Sequence, residues 1–272
     1  MTIEGVSALS ARARTALPRG RSLPDALWAR RHAAIVLLLW AHVLGLWMIA
    51  SLRGYELLHT TLEVAIIAAC ALVAGWRRLN RRARASVATF GLFTSSALLV
   101  HFSGGFIEMH FHFFVMVAVV TLYQDWLPFL VGIGYVLVHH GVFGTLSPEH
   151  VYNHESALEN PWGWAALHAA FIVAESVACI VAWKKAEEYA TELSDQGVRR
   201  REALELNDLV VQGLVVAKAS FELGDEDGGK RALDATLGRA RGLVSDLLGD
   251  EPGVLERPGS LVREGPATVR RS

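Results

Sequence analysis

Six apolar runs, each close to the ~20 residues that cross a hydrocarbon core as a helix, occupy 32–52, 57–76, 84–103, 105–124, 126–146 and 161–183. A chain segment in lipid must satisfy its own backbone hydrogen bonds, so runs of this length can only be helices. They predict an all-α fold: a six-transmembrane-helix bundle. The chain is 52% hydrophobic with a mean hydropathy of +0.32, and the excess sits in these blocks. A net charge of −1 carries no basic signature of a nucleic-acid binder. Cys70 and Cys179 fall inside apolar runs and read as buried thiols. Residues 1–30 are Arg-rich without the apolar region of a signal peptide, so we expect a basic cytoplasmic N-terminal segment there.

Arginine orients the spans. Arg12, Arg14, Arg19, Arg21, Arg30 and Arg31 precede the first run, Arg77, Arg78, Arg81, Arg82 and Arg84 follow the second, and Lys184 and Lys185 follow the sixth. The opposite side has Arg53, and loop 147–160 has Glu149, Glu155 and Glu159 without Lys or Arg. Both termini are therefore expected in the cytoplasm of a multi-pass plasma-membrane (cell inner membrane) protein, with Trp126, Trp162, Trp164 and Trp183 near the lipid interfaces.

Against this apolar background the histidines stand out. There are 11, none beyond His168. With the orientation above, His59, Glu63, Glu108, His110 and His112 lie in the first two turns of spans entering from outside. His101 lies at the outer end of the third span, His139 and His140 at the outer end of the fifth, and His168 about two turns below the outer end of the sixth. His42 sits deeper, about 15 Å down the first. Ionisable groups in a membrane are costly and turn toward a bundle interior, and neutral imidazole suits Zn, Cu and Fe. The candidate metal ligands are thus His59, Glu63, Glu108, His110, His112, His139, His140 and His168. His42 and His168 form an eligible pair for a haem b. His59 with Glu63 and Glu108 with His112 share helix faces at i,i+4. His110 and His112 lie about 200° apart on an ideal helix, and cannot share an axis unless the helix start, at Gly104 and Gly105, is distorted. A lone intramembrane His is as often a simple interhelical hydrogen-bonding residue, so the weight rests on the set.

The motifs Glu108–His110–Phe111–His112–Phe113–Phe114, then Leu122–Tyr123 with Asp125–Trp126, then His139–His140 resemble the multi-pass N-terminal sensor region of some bacterial histidine kinases, diguanylate cyclases and chemoreceptors. The resemblance covers roughly 30–185 and implies sensing, with the stimulus open.

Beyond Lys185 the chain becomes charged. Leu206, Val210, Gly213, Ala217 and Phe221, then Leu233, Leu237, Ala240, Val244 and Leu247, recur with helical spacing on either side of a Gly-rich turn. Two helices with one apolar face each call for a second copy, giving a homodimeric four-helix bundle. "LELNDLVVQGL" resembles the dimerisation and phosphoacceptor helix of kinases that partner NarL-type response regulators, but Asn207 stands at the acceptor position and has no ring nitrogen to take a phosphoryl group. The expected domains are 1–30, the six-span sensor 31–185, the hairpin 186–249 and a disordered tail 250–272.

The reading is a membrane-embedded, non-enzymatic signal-transduction sensor with an outer-leaflet His/Glu site for a transition metal (Cu, Zn or Fe) or haem b. It would contact membrane lipid and relay to a cytoplasmic kinase or response-regulator partner. Its rivals are a membrane redox protein, either a haem b electron carrier or a di-iron oxidase of desaturase type, and a transporter using Glu175.

Overall fold

The computed structural model describes residues 16–147, 151–153 and 155–248, and every regular element among them is helical. The described chain falls into two units divided between Tyr189 and Ala190. The expected disordered tail 250–272, the first half of the basic N-terminal segment, His150 and His154 lie outside the described residues.

The first unit contains α1 (Asp25–Leu52), α2 (Leu57–Gly75), α3 (Arg81–Ser103), a 3-10 turn Ile107–His110 leading into α4 (Phe111–Thr121), α5 (Trp126–Val138), α6 (Glu155–Glu159) and the start of α7 (Pro161–Glu222). The end of α5 runs on through a π-helical turn, His139–Phe143, to Leu146. Five helical stretches are long and apolar enough to cross a membrane: α1, α2, α3, Trp126–Leu146 and α7. The fourth expected span differs. Its apolar helical part is Ile107–Thr121, too short for that class, because Gly104 and Gly105 unwind its start and a turn at 122–125 ends it.

α3 is the hub, packed against α1, α2 and α5. Along its middle, small residues are buried: Ala88, Thr89, Gly91, Ser95 and Ser96, beside the larger Leu92 and Phe93. Helix association in lipid depends on such close backbone approach rather than on hydrophobic contrast. A Cβ on Gly91 would come within 2.8 Å of Cys70 Cβ and 3.0 Å of Leu39 Cδ2. Ser95 returns its hydroxyl to the carbonyl of Gly91, so it is buried without loss of hydrogen bonding. The lipid-ready outer faces keep Leu37, Leu44, Leu62, Leu72, Leu130 and Phe171 exposed.

One end of this unit is a polar lattice. His32 is fully buried and stacked on Trp28. Its Nε2 lies 3.0 Å from the Ala74 carbonyl, which fixes that nitrogen as donor, and Nδ1 then accepts from the Tyr123 hydroxyl at 2.8 Å. Asp125 caps α5 through Leu127 N and pairs with Arg82 at 2.9 Å. Trp126 donates to the Pro18 carbonyl and packs on Trp183, ring centroids 5.0 Å apart. Trp183 is buried against the protein and donates to Glu187. Glu187 also receives the Arg19 and Gly20 amides and the Ser22 hydroxyl, pinning strap 18–24 to α7. Tyr123, Asp125 and Trp126 of the sensor-like motif therefore serve as scaffold.

The second unit is a hairpin of the last part of α7 and α8 (Glu226–Leu248). Gly224, at φ 80°, makes the reversal, and Asp225 caps α8 by accepting from Gly228 N at 2.8 Å. Gly213 faces Thr236, Ala217 is buried, and Gly229 lies against the Phe221 ring. Leu204, Val211, Val215 and Leu237 remain exposed.

Candidate metal and cofactor centre

The structure distributes the candidate ligands over three groups, all in the first unit. The first is buried. His110, from the 3-10 turn, and His139 and His140, from the π-turn, lie around Phe113, and half-buried His168, from α7, joins them beside Phe114. Ring centroids lie 5.4 Å apart for His110–His140, 5.2 Å for His110–His168, 5.3 Å for His140–His168 and 5.1 Å for His139–His140. Phe113 sits 5.2 Å from both His139 and His140. The backbone irregularities explain the convergence. Adjacent residues on an ideal α-helix point about 100° apart. The π-turn widens the helix at His139–Phe143, and both rings are buried, at 9% and 6% exposure. Such turns inside helices recur at functional sites.

Hydrogen bonding within this group is incomplete in a directed way. His110 Nδ1 lies 3.3 Å from the Phe106 carbonyl and His140 Nδ1 3.1 Å from that of Val136. Both Nδ1 atoms are therefore donors, and each Nε2 is left as a lone pair. Those two Nε2 atoms, together with His139 Nδ1, are buried without a hydrogen-bond partner. The Tyr152 hydroxyl, whose ring stacks on His110 at 6.1 Å and 5°, is buried and unpartnered as well. Gly105, at φ 78°, lets the chain pass under Tyr152, because a Cβ there would meet the Tyr152 carbonyl carbon at 3.0 Å. An apolar groove of about 640 Å³ between α5 and α7, lined by Trp126, Phe129, Val136 and Ile172, carries His140 and His168.

The second group is a closed pair. His112 and His42 meet Nε2 to Nε2 at 3.0 Å. His42 Nδ1 donates to the Leu38 carbonyl at 2.7 Å, so its Nε2 accepts from His112, whose Nδ1 accepts from the Ser96 hydroxyl at 2.8 Å. Every ring nitrogen is engaged. His42 is thus brought to His112, and the expected pairing of His42 with His168 is not what the geometry offers. His110 and His112 do diverge: the distorted helix start sends them to different partners instead of one axis.

The third group lies at the start of α2 and the end of α3. His59 Nε2 is 3.5 Å from Glu63 Oε1, and His101 Nε2 is 3.8 Å from Glu63 Oε2. One ligand atom from each of His59, Glu63 and His101 falls within 4.8 Å of the others. Glu63 and His59 therefore belong with His101 and not with the buried group. Glu108 is exposed on the 3-10 turn, which rotates it off the face that an i,i+4 spacing with His112 would give on an α-helix.

The residues that sequence reasoning missed are His32, Glu187, Tyr152 and the grouping of His101 with His59 and Glu63. The one legible signal was the place of His101 at the outer end of its span. Tyr152 lies in a loop that carries no periodicity.

Comparison with known proteins gives one informative match. The chain is 39% identical over 196 residues to a protein of Halobacterium salinarum described as Transducer protein Htr8. The similarity takes in 68% of this chain but 30% of that protein, so the chain spans about a third of its relative's length. No family model matches the chain, and no solved structure matches it. The relative supports a signal-transduction role, and the long apolar helices mark a membrane protein.

Proposed function

We propose that the chain is the membrane sensor part of a signal-transduction protein whose input is read at the buried His110/His139/His140/His168 centre. The observation that carries this reading is the set of three buried, unpartnered imidazole nitrogens. An unpaired polar group in an apolar interior costs about 1–3 kcal/mol, and three such rings clustered with His168 are poorly explained by packing. Lone pairs on His110 Nε2 and His140 Nε2, each with the other ring nitrogen held by a carbonyl, are the form in which imidazole binds a metal. The residues therefore fit a transition metal (Cu, Zn or Fe) or a haem b, whose iron His140 or His168 would hold. The apolar groove beside those two histidines favours a planar apolar macrocycle over a bare ion. When bound, the group supplies a site whose occupancy or oxidation state differs with the stimulus. His139, Phe113 and Tyr152 would exclude water from it and orient what binds.

Output would pass along α7 into a homodimeric hairpin and bias a cytoplasmic partner. No phosphotransfer is assigned to the hairpin, since Asn207 occupies the acceptor position. Six membrane crossings would include Ile107–Thr121 as a short one, with both termini cytoplasmic. For signalling, centre and hairpin need two packings that the stimulus favours unequally.

The test is optical and metal analysis of the purified full chain. A Soret band, or stoichiometric Cu, Zn or Fe, is expected, and His110→Ala and His140→Ala should each remove most of it. Full retention in both variants, with only folding impaired, would return these histidines to packing duty.

A further inference from the structure

We propose that His59, Glu63 and His101 form a second, exchangeable site for a divalent transition ion such as Zn²⁺ or Co²⁺, distinct from the buried histidine centre and independent of the reading given for it. The separations carry the argument. The two His–Glu distances, 3.5 and 3.8 Å, are too long for good hydrogen bonds, which fall at about 2.7–3.2 Å. They suit two ligands sharing an ion. Ligand atoms about 2.0–2.1 Å from a tetrahedral centre stand roughly 3.4 Å apart. The third ligand atom also falls inside the 4.8 Å cluster.

The elements hold these side chains from both sides. His59 and Glu63 are one turn apart on α2, and His101 comes from the last turn of α3. The Tyr55 ring stacks on His59 at 6.3 Å and 11°, and its hydroxyl donates to the His101 carbonyl at 3.1 Å. Arg53 ties down the end of α3 by donating to the Ser103 carbonyl at 2.8 Å. Side-chain exposures of 47%, 26% and 27% for His59, Glu63 and His101 leave the site open to solvent. Two imidazoles and one carboxylate with a free position form an N/O ligand set for Zn²⁺ or Co²⁺ rather than for Mg²⁺ or Ca²⁺, which prefer all-oxygen shells. An ion here would staple the two helix ends that their short connection, at the opposite end of the pair, leaves unjoined. It thereby offers the sensor a second chemical input.

The experiment is a Co²⁺ titration of the full chain in detergent, purified without a histidine tag and stripped with a chelator. Visible d–d absorption should contain a component that saturates at one ion per chain at this site, over and above any Co²⁺ taken by the buried histidines, and Zn²⁺ should displace it. His59→Gln and His101→Gln should each weaken that component on the order of 100-fold, whereas Glu108→Gln, at an exposed carboxylate outside the three histidine groups, should leave it unchanged. His59 is exposed, so its replacement carries little risk to folding, and elution of the variant as wild type in size exclusion would confirm that. Absence of saturable Co²⁺ absorption in the wild type would overturn the proposal. So would that component retained in a folded His59→Gln chain, or lost with Glu108→Gln.

Discussion

At the scale of single residues, the histidines sort by what their nitrogens already hold. His32, His42 and His112 have every ring nitrogen in a hydrogen bond, while His110, His139 and His140 each keep one buried nitrogen unpartnered. The two classes predict opposite phenotypes. His112→Ala should lower thermal stability in detergent by breaking a three-link chain, about 1–3 kcal/mol for the groups left unpaired, and should leave bound metal or haem unchanged. His140→Ala should lower the bound group with a smaller loss of stability. Thermal unfolding followed beside metal content separates the two, and an exchanged pattern would show that the closed pair is the ligand. Gly105→Ala belongs at this scale too. A side chain at φ 78° pressed on the Tyr152 backbone costs about 1–2 kcal/mol for the backbone alone, and should loosen Tyr152 and speed loss of the bound group. Residue identity was legible: His59, Glu63, His110, His139, His140 and His168 all stand in clusters. Their grouping was not, because ideal-helix angles fail where a 3-10 turn carries His110 and a π-turn carries His139 and His140.

At the scale of elements, α7 is the part that both units share, and Glu187 is where the first unit grips it. Its buried carboxylate gathers two backbone amides of the strap, the Ser22 hydroxyl and the Trp183 indole. Glu187→Ala should cost on the order of 3 kcal/mol by orphaning several donors. It should free the strap 18–24 for proteolysis and red-shift Trp183 fluorescence. An unchanged digestion pattern would show that the strap is held elsewhere. The hairpin carries a second element-scale expectation. Leu237 is exposed at 53% on an amphipathic helix. In a full chain with Cys70 and Cys179 replaced by Ser, Leu237→Cys should form a disulfide dimer in membranes and Lys218→Cys should not. Equal cross-linking at both positions would count against a defined dimer seam. Helix positions within a turn or two were readable here because apolar spacing sets them. The Glu187 grip was not, since it joins residues 165 to 168 apart in sequence.

For the whole molecule, the arginine asymmetry predicts that reporter fusions after residues 54 and 155 read as outside and one after residue 80 as inside. The reverse pattern would move every histidine group to the cytoplasmic half of the membrane. What the sequence determined by itself is the class and the inventory: a helical membrane protein with an imidazole-rich end, an arginine-rich end and a charged helical hairpin. Hydrocarbon length, backbone self-satisfaction and charge bias act locally along the chain, so a linear reading captures them. Only the tertiary structure decided which histidines meet. That choice rests on α3 packing closely enough, through Gly91 and its serines, for Ser96 to reach His112 while His110 turns to α5 and α7. It rests equally on two local departures from α-helical geometry, whose direction is set by the neighbours they pack against.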